Sequence, residues 1–290
     1  MAAAEGALEL IQKYPICRTV LSKLQKTIVK DARDDSPEAG DLRTRQVAIG
    51  AENRPVTEAR FMPPPPGNVL VEGVSDWEKW VNAENDVPII IKMALAHYQF
   101  ETLHPYHNGN GRLGRLVAIL QLVESGELAL PIINLSFYLE LYKDAYQDHL
   151  LSVSESGKFD SWIEFFSTAM ERQAIEAVTA IEELTAFKNQ TINSLRRDGL
   201  SGTIIELVEL RIGYPAIDVA TVCTILGKSQ ESSNNVVSKL VDRGILRKAT
   251  GQKVNRNFIC PKAHRITSPY RLSHTGPVTS RRDPSPYRRP

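Results

Sequence analysis

The residues of this chain best suited to chemistry stand close together, between positions 104 and 115. His104 opens the segment, and Gly109 and Gly111 lie in its middle. Histidine has an ordinary pKa close to neutrality, so His104 can accept a proton from a hydroxyl group, and such a base contributes roughly 10²- to 10⁴-fold to a rate. Pro105 restricts the backbone next to it. The segment therefore predicts a general base beside a bent loop.

The remaining residues of the segment indicate that the loop binds an anion. Glycines let successive backbone N–H groups point into one concavity, and a helix that begins there adds the positive end of its dipole. Arg112 and Arg115 stand three positions apart, so both guanidinium groups project toward the same end of that helix. Their planar forks suit phosphate oxygens. We therefore expect a polyphosphate in this loop.

Two helices must position the loop. Residues 89–103 are apolar on nearly all sides, which predicts a central buried helix that ends at His104. After the loop, apolar residues at helical spacing indicate an amphipathic helix over 113–125. The same spacing predicts two short helices within 3–29. It also predicts helices at 77–81, 136–151 and 162–195. The core around the loop is thus expected to be mainly helical.

The ends of the chain differ from this core. Residues 46–50 alternate as in a strand or hairpin arm. We therefore separate an N-terminal region at 1–60, with two helices and this arm, from the helical core at 61–198, which carries the loop. Over 199–262, a helix-turn-helix pattern precedes two short strands, the order of a winged helix-turn-helix module. Residues 263–290 are rich in arginine and proline, and we expect a disordered basic tail there.

Composition narrows the class of protein. The chain has 290 residues, of which 42% are hydrophobic, and a formal net charge of +1, which argues neither for nor against a nucleic-acid partner. Its three cysteines are single, without the spacing of a zinc site or a disulfide framework. We see no signal peptide, and no apolar run reaches the ~18 residues of a membrane span. We expect a soluble, cytoplasmic protein with no membrane partner.

The segment resembles the signature of the Fic family, H-P-F-x-D/E-G-N-G-R-x-x-R, with Tyr106 in place of the Phe. The matching residues are His104, Pro105, Gly109, Asn110, Gly111, Arg112 and Arg115. The resemblance extends over roughly 3–262 to bacterial Fic proteins with a C-terminal winged helix. It is carried outside the motif by 40–50, 59–66, 96–102 and 136–146. It implies a mainly α fold: a Fic-type helical core with a small β-hairpin flap, followed by the winged helix-turn-helix module.

The resemblance implies a protein adenylyltransferase that transfers AMP from ATP to a Ser, Thr or Tyr hydroxyl of a target protein, or of itself. His104 would then deprotonate the hydroxyl, and Asn110 with the amides of the two glycines would hold the α and β phosphates. Arg112 and Arg115 would secure the outer phosphates. The implied substrate is ATP, and the implied metal is Mg²⁺ or Mn²⁺.

One position departs from the signature. The family's Asp or Glu, which binds the magnesium bridging the phosphates, is Asn108 here, and its neutral carbonyl oxygen is a weaker ligand for a hard cation. His107 beside it is a poor magnesium ligand. Adenylyl transfer stays the first hypothesis, with an activity reduced by Asn108. The alternatives are a different phosphate-containing donor, removal of AMP from a modified target, and a nucleotide-sensing winged-helix regulator with a weakened metal site.

The resemblance also bears on target binding, assembly and control. The flap, residues 46–59, is implied to align the target by strand addition, and relatives often form homodimers. Many relatives carry an inhibitory helix with Ser or Thr, three residues and then Glu, whose carboxylate pairs with the second arginine of the motif. Here Glu5 has Met1 where that hydroxyl should stand, so we expect Arg115 to be available for a phosphate.

Further expectations concern residues outside the segment. We interpret His97 as a hydrogen-bonded core histidine. Glu101 is interpreted as structural support, and it is also a candidate to orient His104 or to neutralise an arginine. Basic residues around the recognition helix and the wing are candidates for contacts with DNA phosphates, so DNA is a candidate partner of the winged helix. They are Lys239, Arg243, Arg247, Lys248, Lys253 and Arg256.

Overall fold

The structure, a computed structural model, describes residues 2–50, 56–214, 216–249 and 256–268. The chain divides into two compact units, Met1–Ala177 and Val178–Pro290. The division falls inside a 38-residue helix, earlier than the predicted boundary near 198, because the last turns of that helix carry Ile192 and Leu195, which are buried in the core of the second unit. Among the described residues, none of the helices combines the length and the apolar character needed to cross a membrane.

The first unit is built from helices. They are α1 (Ala2–Ile11), α2 (Arg18–Val29), α3 (Asn68–Asn82), α4 (Ile89–Leu103), α5 (Asn110–Glu124), α6 (Leu135–Leu141), α7 (Lys143–Ser156) and the first part of α8 (Asp160–Arg197). A short 3-10 turn, Val56–Glu58, precedes α3. Each helix overlaps a stretch for which helical spacing predicts one, so the mainly helical core is confirmed.

Helix α4 lies at the centre of this unit. Two apolar cores meet on it, one formed with α1, α2, α3 and α5, and the other with α5 to α8. The buried Trp77 indole donates a 2.9 Å hydrogen bond to the Ala96 carbonyl, and the buried Trp162 indole donates a 2.8 Å bond to the Ala94 carbonyl. Burial on both sides explains why the α4 sequence is apolar all round. It also fixes the end of the helix that carries His104.

Two helices differ in extent from the prediction. Helix α3 begins at Asn68 instead of 77, because Gly67, with φ of 94°, ends the extended proline run just before it and lets a helix start. The single helix predicted over 136–151 is interrupted at Tyr142, which separates α6 from α7. Both corrections lengthen or divide helices outside the 104–115 segment.

The flap region is less regular than predicted. Ile49 pairs with Phe61 in one antiparallel bridge, and no strand is assigned at 46–50, where a hairpin arm was predicted. The reason lies in the partner segment, because the prolines that start at Pro63 cannot donate the hydrogen bonds of a longer ladder. Residues 51–55, within the predicted flap, lie outside the described residues.

The second unit combines helices with a small sheet. Its further elements are α9 (Thr203–Arg211), β1 (Ile217–Asp218), α10 (Val219–Leu226), α11 (Gln230–Asp242), β2 (Arg247–Lys248), β3 (Asn257–Ile259) and α12 (Pro261–Thr267). The antiparallel sheet has the order β1-β3-β2, with Phe258 opposite both Ile217 and Lys248. The elements follow the order expected of a winged helix, and that assignment stays a prediction. Its basic tip, 251–253, lies outside the described residues.

The prediction of a disordered tail from 263 is wrong at its start. Residues up to Thr267 belong to α12, in which Ala263 and Ile266 are buried. Pro261 favours the beginning of this helix, since it stands in the first turn where its missing N–H is not needed. Ala263 belongs to the apolar core of the second unit, so the helix packs on that core. Residues 269–290 lie outside the described residues.

Candidate functional site

His104 lies at the C-terminal end of α4 with a left-handed backbone, φ 46° and ψ 59°. Its N–H group bonds to the Phe100 carbonyl at 3.0 Å, and the chain then leaves the helix through Pro105. A residue other than glycine needs support in this conformation. Arg43 provides it: Nε donates to the His104 carbonyl at 2.9 Å, and the Arg43 N–H donates to the Pro105 carbonyl at 2.9 Å.

Arg43 is a site residue that the sequence analysis missed. Its side chain is 2% exposed, and its guanidinium also donates to the carbonyls of Leu103, Arg45 and Pro64. One buried cation therefore ties the end of α4 to the segments on either side of the flap. Arg43 lies within 40–50, a segment that carries the Fic resemblance, but most of its partners are distant along the chain. Only the folded structure shows its role.

The surroundings of His104 keep its imidazole uncharged. Burial lowers the pKa of His104 to about 4; the backbone of Glu101 acts in the opposite direction, and the Arg43 guanidinium lowers the pKa again. The imidazole is therefore neutral at pH 7. Its buried Nδ1 atom has no hydrogen-bond partner among the described residues. A neutral imidazole can accept the proton of an incoming hydroxyl group.

Asn110 fixes the loop that joins α4 to α5. Its Oδ1 accepts from the Tyr106 N–H at 2.9 Å, and its Nδ2 donates to the Tyr106 carbonyl at 2.7 Å. Both residues are buried. The Asn110 amide is thus used inside the loop, and what this residue can offer to a phosphate is its backbone N–H at the start of α5.

The start of α5 has the features of an anion site. Gly109 precedes the helix with φ of 76°, and bonding within the helix begins with the Leu113 N–H, which donates to the Gly109 carbonyl at 2.9 Å. The N–H groups of 110–112, Gly111 among them, have no acceptor within the helix and point along its axis toward the loop. A Cβ at Gly109 would lie 2.9 Å from Val29 Cγ1. The positive φ of this residue and the short distance from its Cβ position to Val29 therefore both require glycine here.

The two arginines of the segment are held by different elements. Arg112, in the first turn of α5, forms an ion pair with Asp34 and donates to the Ile28 carbonyl at 3.1 Å. Arg115 donates from Nε to Ser136 Oγ, in the first turn of α6, at 2.9 Å. The Arg112 pair is partly exposed, so it costs little to open. That both guanidinium groups project toward one phosphate at the start of α5 stays a prediction.

Asn108, the position of the missing acid, lies on the surface beside Asp34. The side-chain Nδ2 of Asn108 donates to the backbone carbonyl of Asp34 at 3.4 Å. The backbone carbonyl of Asn108 accepts from Gln25 Nε2 at 3.0 Å. His107 is engaged elsewhere, since its Nε2 accepts from the Thr44 N–H at 3.3 Å. That His107 is not a magnesium ligand stays a prediction.

The oxygen atoms near α5 fit a divalent cation that is bound together with a polyphosphate. Among the residues that the structure describes, no group of three or more His, Cys, Asp or Glu side chains could hold a metal by itself. Magnesium in phosphate sites needs only one or two protein oxygen ligands, because phosphate and water supply the others. Asn108 and Asp34 offer such oxygens.

Residues 15–122 match the Fic/DOC family model. This part of the chain belongs to the Fic/DOC family. A probable protein adenylyltransferase of Aquifex aeolicus is 31% identical over 97 residues, which are 33% of this chain and 30% of that protein. Protein adenylyltransferase Fic of Culex quinquefasciatus is 29% identical over 189 residues, which are 61% of this chain and 34% of that protein. The chain thus spans about a third of the length of these relatives.

A crystal structure also resembles the chain. The structure of a Fic family protein from Desulfovibrio desulfuricans has a TM-score of 0.52 and 18% sequence identity, and the alignment covers 89% of this chain and 73% of that one. At this identity the similarity concerns the fold. It agrees with the predicted Fic-type helical core.

A buried polar layer lies beneath the Fic motif. His97 Nε2 and Tyr146 OH are 2.9 Å apart, which makes His97 a hydrogen-bonded core histidine, as predicted. Burial lowers the pKa of His97 to about 3, Arg115 lowers it as well, and the backbone of Gly114 acts in the opposite direction. Burial raises the pKa of Glu101 to about 7, against the influence of Arg115. Glu101 Oε1 has no hydrogen-bond partner among the described residues, so Glu101 stays a candidate support for the motif.

The basic residues of the second unit are partly engaged within that unit. Arg243 lies 3.5 Å from Asp198 and donates to the Lys239 carbonyl at 3.2 Å. Arg256 donates to Asn234 Oδ1 at 2.7 Å. These contacts are evidence neither for nor against DNA binding, which stays a prediction.

Proposed function

We propose that this chain is a protein adenylyltransferase, which transfers AMP from ATP to a Ser, Thr or Tyr hydroxyl of a target protein or of the chain itself. One observation carries the proposal: a neutral His104, braced by Arg43, directly precedes the glycine-bent start of α5. A candidate base, a group of N–H donors and two arginines thus belong to one short stretch of the chain. The adenylyltransferases that share the Fic segment support the proposal.

The reaction is a displacement at the α phosphorus of ATP. The His104 imidazole takes the proton of the target hydroxyl, whose oxygen forms a bond to the α phosphorus. The bond between that phosphorus and the bridging oxygen breaks, and pyrophosphate leaves. The N–H groups of 110–112 and the Arg112 and Arg115 guanidiniums stabilise the negative charge on the phosphates.

Magnesium or manganese fits this site as an ATP-bound cation. When bound, the cation neutralises phosphate charge and favours departure of pyrophosphate. Asn108 and Asp34 would hold it. Because Asn108 offers a neutral oxygen, we expect the natural chain to turn over more slowly than an Asn108→Asp variant.

Target recognition is assigned to the flap region, residues 46–59. We expect a target segment to pair with its backbone by strand addition, in which main-chain groups rather than particular side chains give the affinity. From the Fic resemblance we also expect a cytoplasmic homodimer. DNA is a further candidate partner, which the winged-helix unit would bind. Each of these expectations is independent of the chemistry at His104.

The test is transfer from ATP labelled at the α phosphate, with Mg²⁺ and a cell lysate as the source of targets. Label is expected on protein with the natural chain and is expected to disappear with His104→Ala. The matched control is His264→Ala, which removes an exposed histidine from α12 and should leave labelling unchanged. Transfer from ATP labelled at the γ phosphate instead would show a different reaction, and labelling that survives His104→Ala would contradict the proposal.

A further inference from the structure

The missing acid of the Fic motif has a neighbour that can replace it. We propose that Asp34, on the loop after α2, supplies the carboxylate ligand of the divalent cation that accompanies ATP. The inference deepens the proposed function and rests on it. It concerns a residue that lies far from the motif in the sequence and beside it in the fold.

Two contacts place Asp34 at the motif. The Asp34 carbonyl accepts from Asn108 Nδ2 at 3.4 Å, so the main chain of the loop lies next to the position where the signature has its acid. The Asp34 carboxylate pairs with the Arg112 guanidinium, in the first turn of α5. Its oxygen therefore already lies where a phosphate group would meet α5. The side chain is 29% exposed, which leaves it accessible to an incoming ion.

The loop that carries Asp34 is anchored to the motif. Gln25 bridges the two, because its Nε2 donates to the Asn108 carbonyl at 3.0 Å and its Oε1 accepts from the Gly40 N–H at 2.6 Å. Within the loop, the Asp35 carboxylate accepts from the Asp31 N–H at 3.0 Å. These bonds hold the backbone around Asp34 in a defined place. A ligand that is held in this way is ready to bind a cation with little reorganisation.

The other nearby carboxylates are engaged or shielded. Glu38 pairs with Arg45 at 2.9 Å and lies 3.4 Å from His107 Nε2. Glu101 is buried in the polar layer, within 4.0 Å of His97 Nε2. Glu38 thus contacts the motif at His107, whereas Asp34 contacts it at Asn108 and Arg112.

Charge balance is compatible with this role. Asp34 is paired with a cation, Arg112. When the Arg112 guanidinium binds a polyphosphate, the Asp34 carboxylate loses its counter-ion. A divalent cation bound to the same phosphates would provide a new counter-ion for this carboxylate. Asn108 would contribute its Oδ1 as a neutral second oxygen. One or two protein ligands of this kind are what magnesium uses in phosphate sites.

A competing role for Asp34 predicts the opposite result. If Asp34 only blocks Arg112, its removal should strengthen the binding of ATP in magnesium as well as without it. If Asp34 is a ligand, its removal should abolish the advantage that magnesium gives to ATP binding. The ratio of ATP affinities with and without magnesium separates the two roles.

The experiment measures ATP affinity of the full chain by calorimetry, in Mg²⁺ and in EDTA at equal ionic strength. Asp34→Asn keeps the size and one oxygen of the side chain and removes its charge. We expect the natural chain to bind ATP more tightly in Mg²⁺, and this ratio to fall by at least about tenfold in Asp34→Asn, since even indirect partners of a metal ligand contribute that much. Asp31→Asn is the matched control on the same loop, because the Asp31 side chain is exposed and asparagine tolerates its left-handed backbone, and it should keep the natural ratio.

A second readout uses the metal itself. The electron paramagnetic resonance signal of free Mn²⁺ should decrease when the natural chain and a non-hydrolysable ATP analogue are added, and decrease much less with Asp34→Asn. The double variant Asp34→Asn with Asn108→Asp should recover the metal dependence, because a carboxylate returns at the neighbouring position. Recovery also shows that the Asp34 variant is folded.

The outcomes are distinct. An Asp34→Asn variant that keeps the natural ratio, or that binds ATP more tightly in Mg²⁺, overturns this inference. The same holds if magnesium does not affect ATP binding by the natural chain. Loss of the ratio in Asp34→Asn without any AMP transfer by the natural chain would support the metal role and overturn the proposed function. If the natural chain does not bind ATP, both are overturned.

Discussion

At the scale of single residues, His104 depends on its surroundings for its charge state. Its type and its place in the motif could be predicted from the sequence, and so could the glycines and arginines of the loop. The lowered pKa could not, because it arises from burial and from Arg43, which approaches from a distant segment. Asp34 escaped prediction for the same reason, since its contacts with the motif exist only after folding.

The pH dependence of AMP transfer should reflect this lowered pKa. Because His104 is protonated only near pH 4, its ability to accept a proton should persist well below the ordinary histidine pKa of 6.5. We expect kcat/KM to stay nearly constant from pH 7 down to about 5.5 and to fall as the pH approaches 4. Steady-state rates across this range provide the measurement, with circular dichroism to confirm the fold at each pH. A midpoint near 6.5 would contradict the account of His104.

Asn110 should matter for stability as well as for nucleotide binding. Asn110→Ala leaves the buried N–H and carbonyl of Tyr106 without partners, at a cost of about 1–3 kcal/mol for each unsatisfied group. Urea denaturation should therefore show a lower free energy of unfolding. Asn85→Ala is the matched control, because Asn85 also makes two local backbone bonds but is exposed, and a change within about 0.5 kcal/mol is expected there. Equal losses in the two variants would contradict the role given to Asn110.

At the scale of elements, hydrophobic spacing was enough to predict the helices around the motif. It was not enough to predict their limits, since the start of α3 depends on Gly67 and the break before α7 on Tyr142. The predicted flap strand was reduced to one bridge because its partner runs into prolines. The contact between α4 and α5 also depends on a feature with no periodic signal, the absence of a side chain at Gly114.

Gly114→Ala should disturb the contact between α4 and α5. A Cβ at this position would lie 2.6 Å from Glu101 Oε1 and 3.0 Å from Phe100 Cδ1, in a buried region where neither side chain moves freely. We expect a loss of about 1–3 kcal/mol in the free energy of unfolding. Gly6→Ala in α1 is the control, since nothing lies within 4 Å of its new Cβ and alanine favours a helix by up to about 1 kcal/mol. Thermal unfolding that ranks the two variants in the reverse order would be evidence against tight packing at Gly114.

At the scale of the whole molecule, the chain combines a Fic domain with a second compact unit. The change of character after 199 could be predicted from the sequence, but the division lies inside α8, because Ile192 and Leu195 belong to the core of the second unit. A continuous helical pattern gives no sign of which unit each turn packs against. The early part of the predicted tail was misjudged because the two apolar residues of α12 lie among basic ones.

A substitution in the second unit should separate its stability from nucleotide binding. Phe258 is 2% exposed at the centre of the small sheet, so Phe258→Ala should destabilise this unit by about 3–5 kcal/mol. ATP affinity should stay at its natural value, because the motif belongs to the other unit. Calorimetric unfolding and ATP titration of the same sample make the comparison. Parallel losses of stability and affinity would show that the site needs the second unit.

The central claim is that one part of the site binds the phosphates of ATP while His104 performs the proton transfer. The most direct measurement is therefore ATP affinity and single-turnover AMP transfer in the His104→Ala variant, side by side with the natural chain. The account predicts an ATP affinity within about twofold of the natural value and a transfer rate lowered by at least about 100-fold. Affinity and transfer that fall together, or a transfer rate that does not fall, would contradict it.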